Sequence, residues 1–150
     1  MNKISKQFSP YPLLLERAKT EKFQKLAESL MKTAEEFYQL QENFPKSIAK
    51  NRAMRRKKKS PVRYTKRQKE FIAEAGMDAA KASAYLENTY RLIEDERGLA
   101  EAALQGERFD FKTWAWLYES VHEDDKPMAN RIRQLQQKLI NDLELYLSEV

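Results

Sequence analysis

Apolar residues recur three and four positions apart along most of this chain. Phe23, Leu26, Ala27, Leu30, Met31, Ala34, Phe37, Tyr38 and Leu40 form one such series, with Lys22, Lys25, Glu28, Lys32 and Glu35 on the other faces. That period belongs to a helix with one buried stripe. Upstream, Ser9 offers a capping hydroxyl and Pro10 suits a first helical turn. The pattern predicts helix from there to about Glu42, with Thr20 breaking it into a short and a long piece and Pro45 ending it.

The same spacing returns downstream. Thr65-Lys66-Arg67-Gln68 has the form of a capping box, followed by Phe71, Ile72 and Ala75 as an apolar face. Gly76 either closes that helix, with Asp78 opening the next, or sits inside a continuous one. Ala79, Ala82, Leu86, Tyr90 and Ile93 carry the stripe toward Gly98. Asp110 reads as the cap of a helix bearing Phe111, Trp114, Leu117, Tyr118 and Val121. Trp116 falls on another face, either as an exposed anchor for a partner or as part of a second buried face. After a polar turn at His122–Asp125, the last helix carries Met128, Ile132, Leu135, Leu139, Leu143, Tyr146 and Val150 near heptad spacing. That seam is expected to be a bundle face rather than an intermolecular coiled coil.

Alanine and leucine number sixteen each and glutamate seventeen, against fourteen valines, isoleucines and threonines together and three glycines. Helix formers dominate and strand alternation is absent. The expectation is an all-α bundle of about four to six helices with a basic, partly flexible connecting segment. Leu26, Leu30, Phe37, Phe71, Leu86, Trp114, Leu117, Leu135 and Leu139 are expected in its core.

Charge divides the chain further. Residues 1–45 carry a net charge of +1, residues 46–69 carry +12 with no acid among them, and residues 70–150 carry −8. Three parts follow: an N-terminal helical segment at 1–45, a basic connecting segment at 46–69, and an acidic helical segment at 70–150 packing with the first as one domain. The linker around Ser60-Pro61 is expected to be protease-sensitive.

A run with one cation every second residue repels itself and calls for counter-charge. Nucleic-acid phosphates supply it, and the release of their condensed counterions drives binding. Arg52, Arg55, Arg56, Lys57, Lys58, Lys59, Arg63, Lys66 and Arg67 are the candidate phosphate contacts, and Tyr64 among them is a candidate stacker for an unpaired base. The blander alternatives are docking on an acidic protein surface, a nuclear-import address at Arg55-Arg56-Lys57-Lys58-Lys59, or a solvated linker. A membrane-surface helix is the weakest, since Ile48, Ala49, Ala53 and Met54 offer little apolar area.

More specific DNA-binding patterns fit poorly. Between Phe71 and Tyr85 a helix-turn-helix would need a small residue where Ile72 stands, and Asp78, Ala80, Lys81, Ser83 and Ala84 make a weak reading face. A basic leucine zipper would need a helix unbroken at Pro61.

Catalytic chemistry has little support. The absence of cysteine and the single histidine, His122, exclude disulfides, thiolate zinc sites and multi-histidine metal sites. Gly76, Gly98 and Gly106 are too isolated for a phosphate loop. Glu119, His122, Glu123, Asp124 and Asp125 lack calcium-loop spacing and read more simply as charges at a helix start. No apolar run reaches membrane-spanning length and none near Met1–Phe8 resembles a signal peptide.

The expected function is a non-enzymatic nucleic-acid-binding regulator or accessory subunit, without cofactor or metal. Its partner is DNA or RNA, joined by a protein partner or a second copy through the helical faces, and its place is cytoplasmic or nucleoid-associated, or nuclear in a eukaryote. The alternative is a protein–protein adaptor or inhibitor acting through the acidic C-terminal half.

Overall fold

The computed structural model describes residues 9–57, 66, 67, 87 and 89–149, with the backbone alone for Arg52, Arg55, Arg56 and Lys57. Its elements are α1 (Tyr11–Arg17), α2 (Glu21–Lys57), α3 (Glu96–Thr113), α4 (Ala115–Glu119), a 3-10 turn at Glu123–Asp125 and α5 (Lys126–Glu149). Residues 89–91 are also helical, and no strand occurs among the described residues. The fold is an all-α bundle. The helices expected around Phe71, Gly76 and Leu86, and the linker at Ser60-Pro61, lie outside the described residues.

Local signals set the starts of α1 and α2. The Ser9 hydroxyl accepts from the Tyr11 N–H at 3.4 Å, and Pro12 lies in the first turn of α1. Ala18 is extended and ends that helix. Thr20 then caps α2: its hydroxyl accepts from Phe23 N–H at 3.2 Å and its carbonyl from Gln24 N–H at 2.9 Å.

α2 does not stop at Pro45. It continues to Lys57, 37 residues in all, or about 55 Å at 1.5 Å per residue. A proline inside a helix costs about 3 kcal/mol relative to alanine. Packing on both sides of it offsets that cost. Phe44 and Ile48 are both buried, and Phe44 packs on Tyr118 with ring centroids 5.4 Å apart. Each side chain of that size contributes about 1.5–3 kcal/mol on burial. The buried series Ala27, Leu30, Ala34, Phe37, Phe44 and Ile48 keeps heptad register through the proline, with half-buried Gln41 and Asn51 filling the intervening and following seam positions.

α5 answers with Ala129, Ile132, Gln136, Leu139, Leu143 and Tyr146, all buried. The two helices run antiparallel. Phe23 meets Tyr146 with ring centroids 5.1 Å apart, Lys22 pairs with Glu149, Arg131 pairs with Glu36 at 2.7 Å, and Asn51 Nδ2 donates to Asp125 Oδ1 at 2.6 Å. The seam expected of the last helix is therefore filled within the chain.

α3 lies antiparallel to α5 on its other flank. Its cap is Asp95, whose Oδ2 accepts from Gly98 N–H at 2.9 Å, and Gly98 opens the helix rather than closing one. Asp110, expected as a cap, is inside α3. Its carboxylate instead accepts from Gln136 Nε2 at 2.8 Å. The helix ends where Trp114 leaves helical geometry, at φ −97° and ψ 3°. Arg133 takes the Phe111 carbonyl there at 2.7 Å. Its guanidinium carbon sits 3.5 Å from the Phe111 ring centroid.

α1 spans α2 and α3. Arg17 donates to the carbonyls of Ile93, of Arg91 at 3.2 Å and of Tyr90 at 3.4 Å, capping the helical turn that precedes α3. Tyr90 in turn lies close over Gly106, where an added Cβ would come within 3.1 Å of its hydroxyl.

Of the expected core, Leu30, Phe37, Leu117, Leu135 and Leu139 are buried. Leu26 and Trp114 are partly buried against it. Phe71 and Leu86 lie outside the described residues.

Two outcomes follow in urea denaturation. Leu139→Ala, at a fully buried seam position, lowers unfolding free energy by about 2–5 kcal/mol. Pro45→Ala, inside α2, raises it by about 1–3 kcal/mol, because it restores a helical N–H and removes the ring clash. Unchanged stability would mean that α2 does not run through residue 45 in solution.

Candidate nucleic-acid interface

The basic residues of the sequence begin on the last turns of α2. Phe44 and Ile48 are the last buried side chains of α2 among those described, and half-buried Asn51 is the last described side chain of α2 to bond the body. Asn51 Nδ2 donates to Asp125 Oδ1 at 2.6 Å and lies 3.4 Å from the Asp124 carbonyl. Beyond it Ala53 and Met54 are exposed, Met54 by 47%. Lys46 and Lys50 are exposed on this part of the helix. Arg52, Arg55, Arg56 and Lys57 are four of the six residues of α2 that follow Asn51, a length of about 9 Å.

Lys66 and Arg67 are helical and exposed. The Arg67 guanidinium lies over the Trp116 ring, 5.7 Å from its centroid. Lys58, Lys59, Arg63 and Tyr64 lie outside the described residues. Both flanks of the basic run thus meet one stretch of chain. Asn51 holds the 3-10 turn and Arg67 meets α4, and Lys126 Nζ binds the Glu119 carbonyl at 3.1 Å, tying α4 to the start of α5. Trp116, on the face left open by the spacing, is 37% exposed.

Several carboxylates of the body are held by its own cations. Arg108 pairs with Glu144, Lys22 with Glu149, Lys138 with Asp142 at 2.6 Å, Arg131 with Glu36 at 2.7 Å, and Arg97 with Glu101 at 3.6 Å. His122 Nδ1 accepts from the Asp124 N–H at 3.2 Å and Asp125 is buried on Asn51. Among the described residues, no group of three or more histidine or acidic side chains is placed to hold a metal, and no helix is long and apolar enough to cross a membrane.

One cluster has no counterpart among the sequence expectations. Glu107 is buried at the meeting of α1, α3 and α5. It accepts from the Tyr11 hydroxyl at 2.7 Å and from Gln136 Nε2 at 3.0 Å. The same amide reaches Asp110 at 2.8 Å. Loss of water raises the Glu107 carboxyl to about 7, against the lowering effect of Gln136 and Tyr11, with Asp110 adding to the rise. Burial likewise raises Asp110, although Gln136, the Trp114 side chain and Arg133 oppose it. The phenols of Tyr11, Tyr38 and Tyr90 are pushed up by burial and then by Glu107.

Glu107, bonded by a phenol and an amide, clasps three helices without a cation. The signal in the sequence is Gln136, a polar residue on an otherwise apolar heptad series of α5. A related pair, Gln41 and Tyr118, joins α2 to α4. Burial and then Asp110 raise the Tyr118 phenol to about 12, with a hydrogen bond from Gln41 opposing them. Gln41 Oε1 is the one buried side-chain polar atom without a partner among the described residues.

No protein-family model matches this chain, and neither the curated proteins nor the solved structures include a significant match to it.

The clasp sets a pH dependence. A carboxyl raised on folding binds its proton more tightly in the native state, so its contribution is full below about 4.5, its ordinary value, and is lost as pH rises to about 7. Glu107→Gln cannot titrate. The stability of the wild type relative to this variant is therefore expected to fall by about 3 kcal/mol between pH 4 and pH 8. Urea melts of both proteins across that range measure it, and a constant difference would show that Glu107 ionises normally.

Proposed function

We propose that this protein is a non-enzymatic nucleic-acid-binding regulator or accessory subunit. The observation that carries the reading is the basic end of α2. The helix is anchored by buried Phe44 and Ile48 and by the Asn51–Asp125 bond, and its next six residues hold Arg52, Arg55, Arg56 and Lys57. Twelve cations between residues 46 and 69, without an acid, continue from that end. A bundle that holds such a run by its flanks gives a polyanion a cationic contact without asking those charges to support the core. The contacts proposed are Arg52, Arg55, Arg56, Lys57, Lys58, Lys59, Arg63, Lys66 and Arg67, with Tyr64 among them. The reading goes with a cytoplasmic or nucleoid-associated place, or a nuclear one in a eukaryote.

The second reading is an adaptor or inhibitor acting through the acidic half. Residues 70–150 do carry −8, which favours a basic partner. That charge is spread over 81 residues, whereas the +12 is concentrated in 24, so this reading takes second place.

Replacement of Arg55, Arg56, Lys57, Lys58 and Lys59 by glutamine separates the two. On the first reading the variant keeps its far-UV helix signal and loses affinity broadly across sequences, because phosphate contacts position rather than specify. A plot of log affinity against log salt becomes shallower by about 0.9 for each duplex phosphate that is no longer neutralised, or about 0.7 for each phosphate of a single strand. A wild type that binds no polynucleotide at low salt would overturn the reading. Equal binding by the variant would move the binding surface elsewhere on the protein.

A further inference from the structure

We infer that α1 is a proton-controlled strap: it closes on α2 and α3 while Glu107 is protonated, and it opens as a unit, ahead of the α2–α5 seam, when Glu107 ionises.

The build of α1 suits it to move alone. It has seven residues, a length that holds helix only through packing. Extended Ala18 separates it from α2, and with Lys19 it forms a short joint before the Thr20 cap. Its buried side chains are Tyr11, Leu13 and Leu14. Beyond these, Tyr11 donates its hydroxyl to Glu107 at 2.7 Å, and Arg17 donates to the carbonyls of Tyr90, Arg91 and Ile93. The seam of α2 and α5 is a far longer attachment, running from Phe23 on Tyr146 to Asn51 on Asp125. Segments with few buried contacts open first.

Glu107 is the group that couples such opening to protons. It is buried, and its bonding partners are a phenol and an amide. The titratable groups that face it are Tyr11 of α1, Tyr38 of α2, Tyr90 ahead of α3 and Asp110 of its own helix. From α5 it meets Gln136, while Arg133 of that helix acts on Asp110 and Tyr118. A carboxylate in that setting has lost its water without gaining a cation, and Asp110 adds repulsion. Lifting α1 uncovers the oxygen bonded by Tyr11 and lets water in. It leaves the other oxygen on Gln136, which also holds Asp110, so α3 stays on α5. Opening therefore costs least when the carboxyl is charged.

Native-state hydrogen exchange of the full chain tests this, followed by mass spectrometry from pH 4 to pH 8 at low urea and corrected for the intrinsic rate. The reporting amides run from Leu14, bonded to the Pro10 carbonyl at 3.0 Å, to Ala18, bonded to the Leu15 carbonyl at 3.3 Å. They are expected to be at least about tenfold less protected than the α5 amides from Leu139 to Leu143, and nearly insensitive to urea where the latter are not. Their protection is expected to fall about tenfold per pH unit above the ordinary carboxyl value of 4.5. It levels off near pH 7, where Glu107 is charged in the closed form as well. Glu107→Gln removes that fall. Tyr11→Phe keeps it and moves the levelling-off to higher pH, because the lost hydrogen bond favours the charged form. Leu14→Ala lowers the protection of α1 equally at every pH. The strap is wrong if α1 shares the protection and urea dependence of the seam, if its local opening ignores pH, or if the fall persists in Glu107→Gln.

Discussion

The antiparallel pairing of α2 with α5 is the constraint on which the rest depends. α2 has 37 residues and α5 has 24, so no pairing of the two hides the whole of α2. With Phe23 on Tyr146 at one end and Asn51 on Asp125 at the other, the shorter helix is used up at residue 51. What remains of α2 is basic. The register of one seam therefore decides which residues of α2 lie along α5 and which follow its end, and a slip of one heptad would draw the basic stretch back along α5.

Polar groups hold the neighbouring register, that of α5 on α3. A leucine at position 136 would fill the same space, but it would pack acceptably in several alignments. Gln136 binds Glu107 and Asp110 at 3.0 and 2.8 Å in only one. A polar group at a core position costs stability and favours a single alignment. Here the cost is contained because the partners are satisfied: Glu107 is bonded on both oxygens, one by Gln136 and the other by Tyr11, and desolvation raises its carboxyl to about 7. Ionised carboxylates at both 107 and 110 would repel each other in the same poorly solvated space.

Much of the fold is legible in the spacing, and the departures from it have physical causes. Ser9, Thr20 and the stripes of α2 and α5 lie where local chemistry and packing agree. Pro45 carries the local marks of a stop, because a proline lacks the N–H and crowds the preceding turn. The seam passing through Phe44 and Ile48 outweighs that local penalty, and their spacing from Phe37 is the available sign. Asp110 resembles a cap because it precedes an aromatic run, yet its carboxylate is drawn inward by Gln136, and the real cap is Asp95 on Gly98. The Tyr11–Glu107 bond joins residues 96 positions apart, and no local pattern carries such a pairing. At the candidate interface the charges are plain in the sequence. The meeting of Arg67 with Trp116 is not, because it depends on where the chain returns after the basic run.

On the proposed reading, the division of charge becomes an orienting device. A polyanion approaching α3 or the outer face of α5 meets carboxylates, only some of them paired with cations, in a segment that carries −8, a repulsive field screened beyond about 8–10 Å at physiological salt. At the end of α2 the cations have no comparable set of neutralising acids in sequence from residue 46 to residue 69, and their field adds rather than cancels. The net charge of +5 thus understates the attraction at one end and overstates it elsewhere. An acidic body with one cationic segment binds a long strand at one place along the protein, and leaves the rest of the bundle, held by its own seam and clasp, free of the ligand's charge.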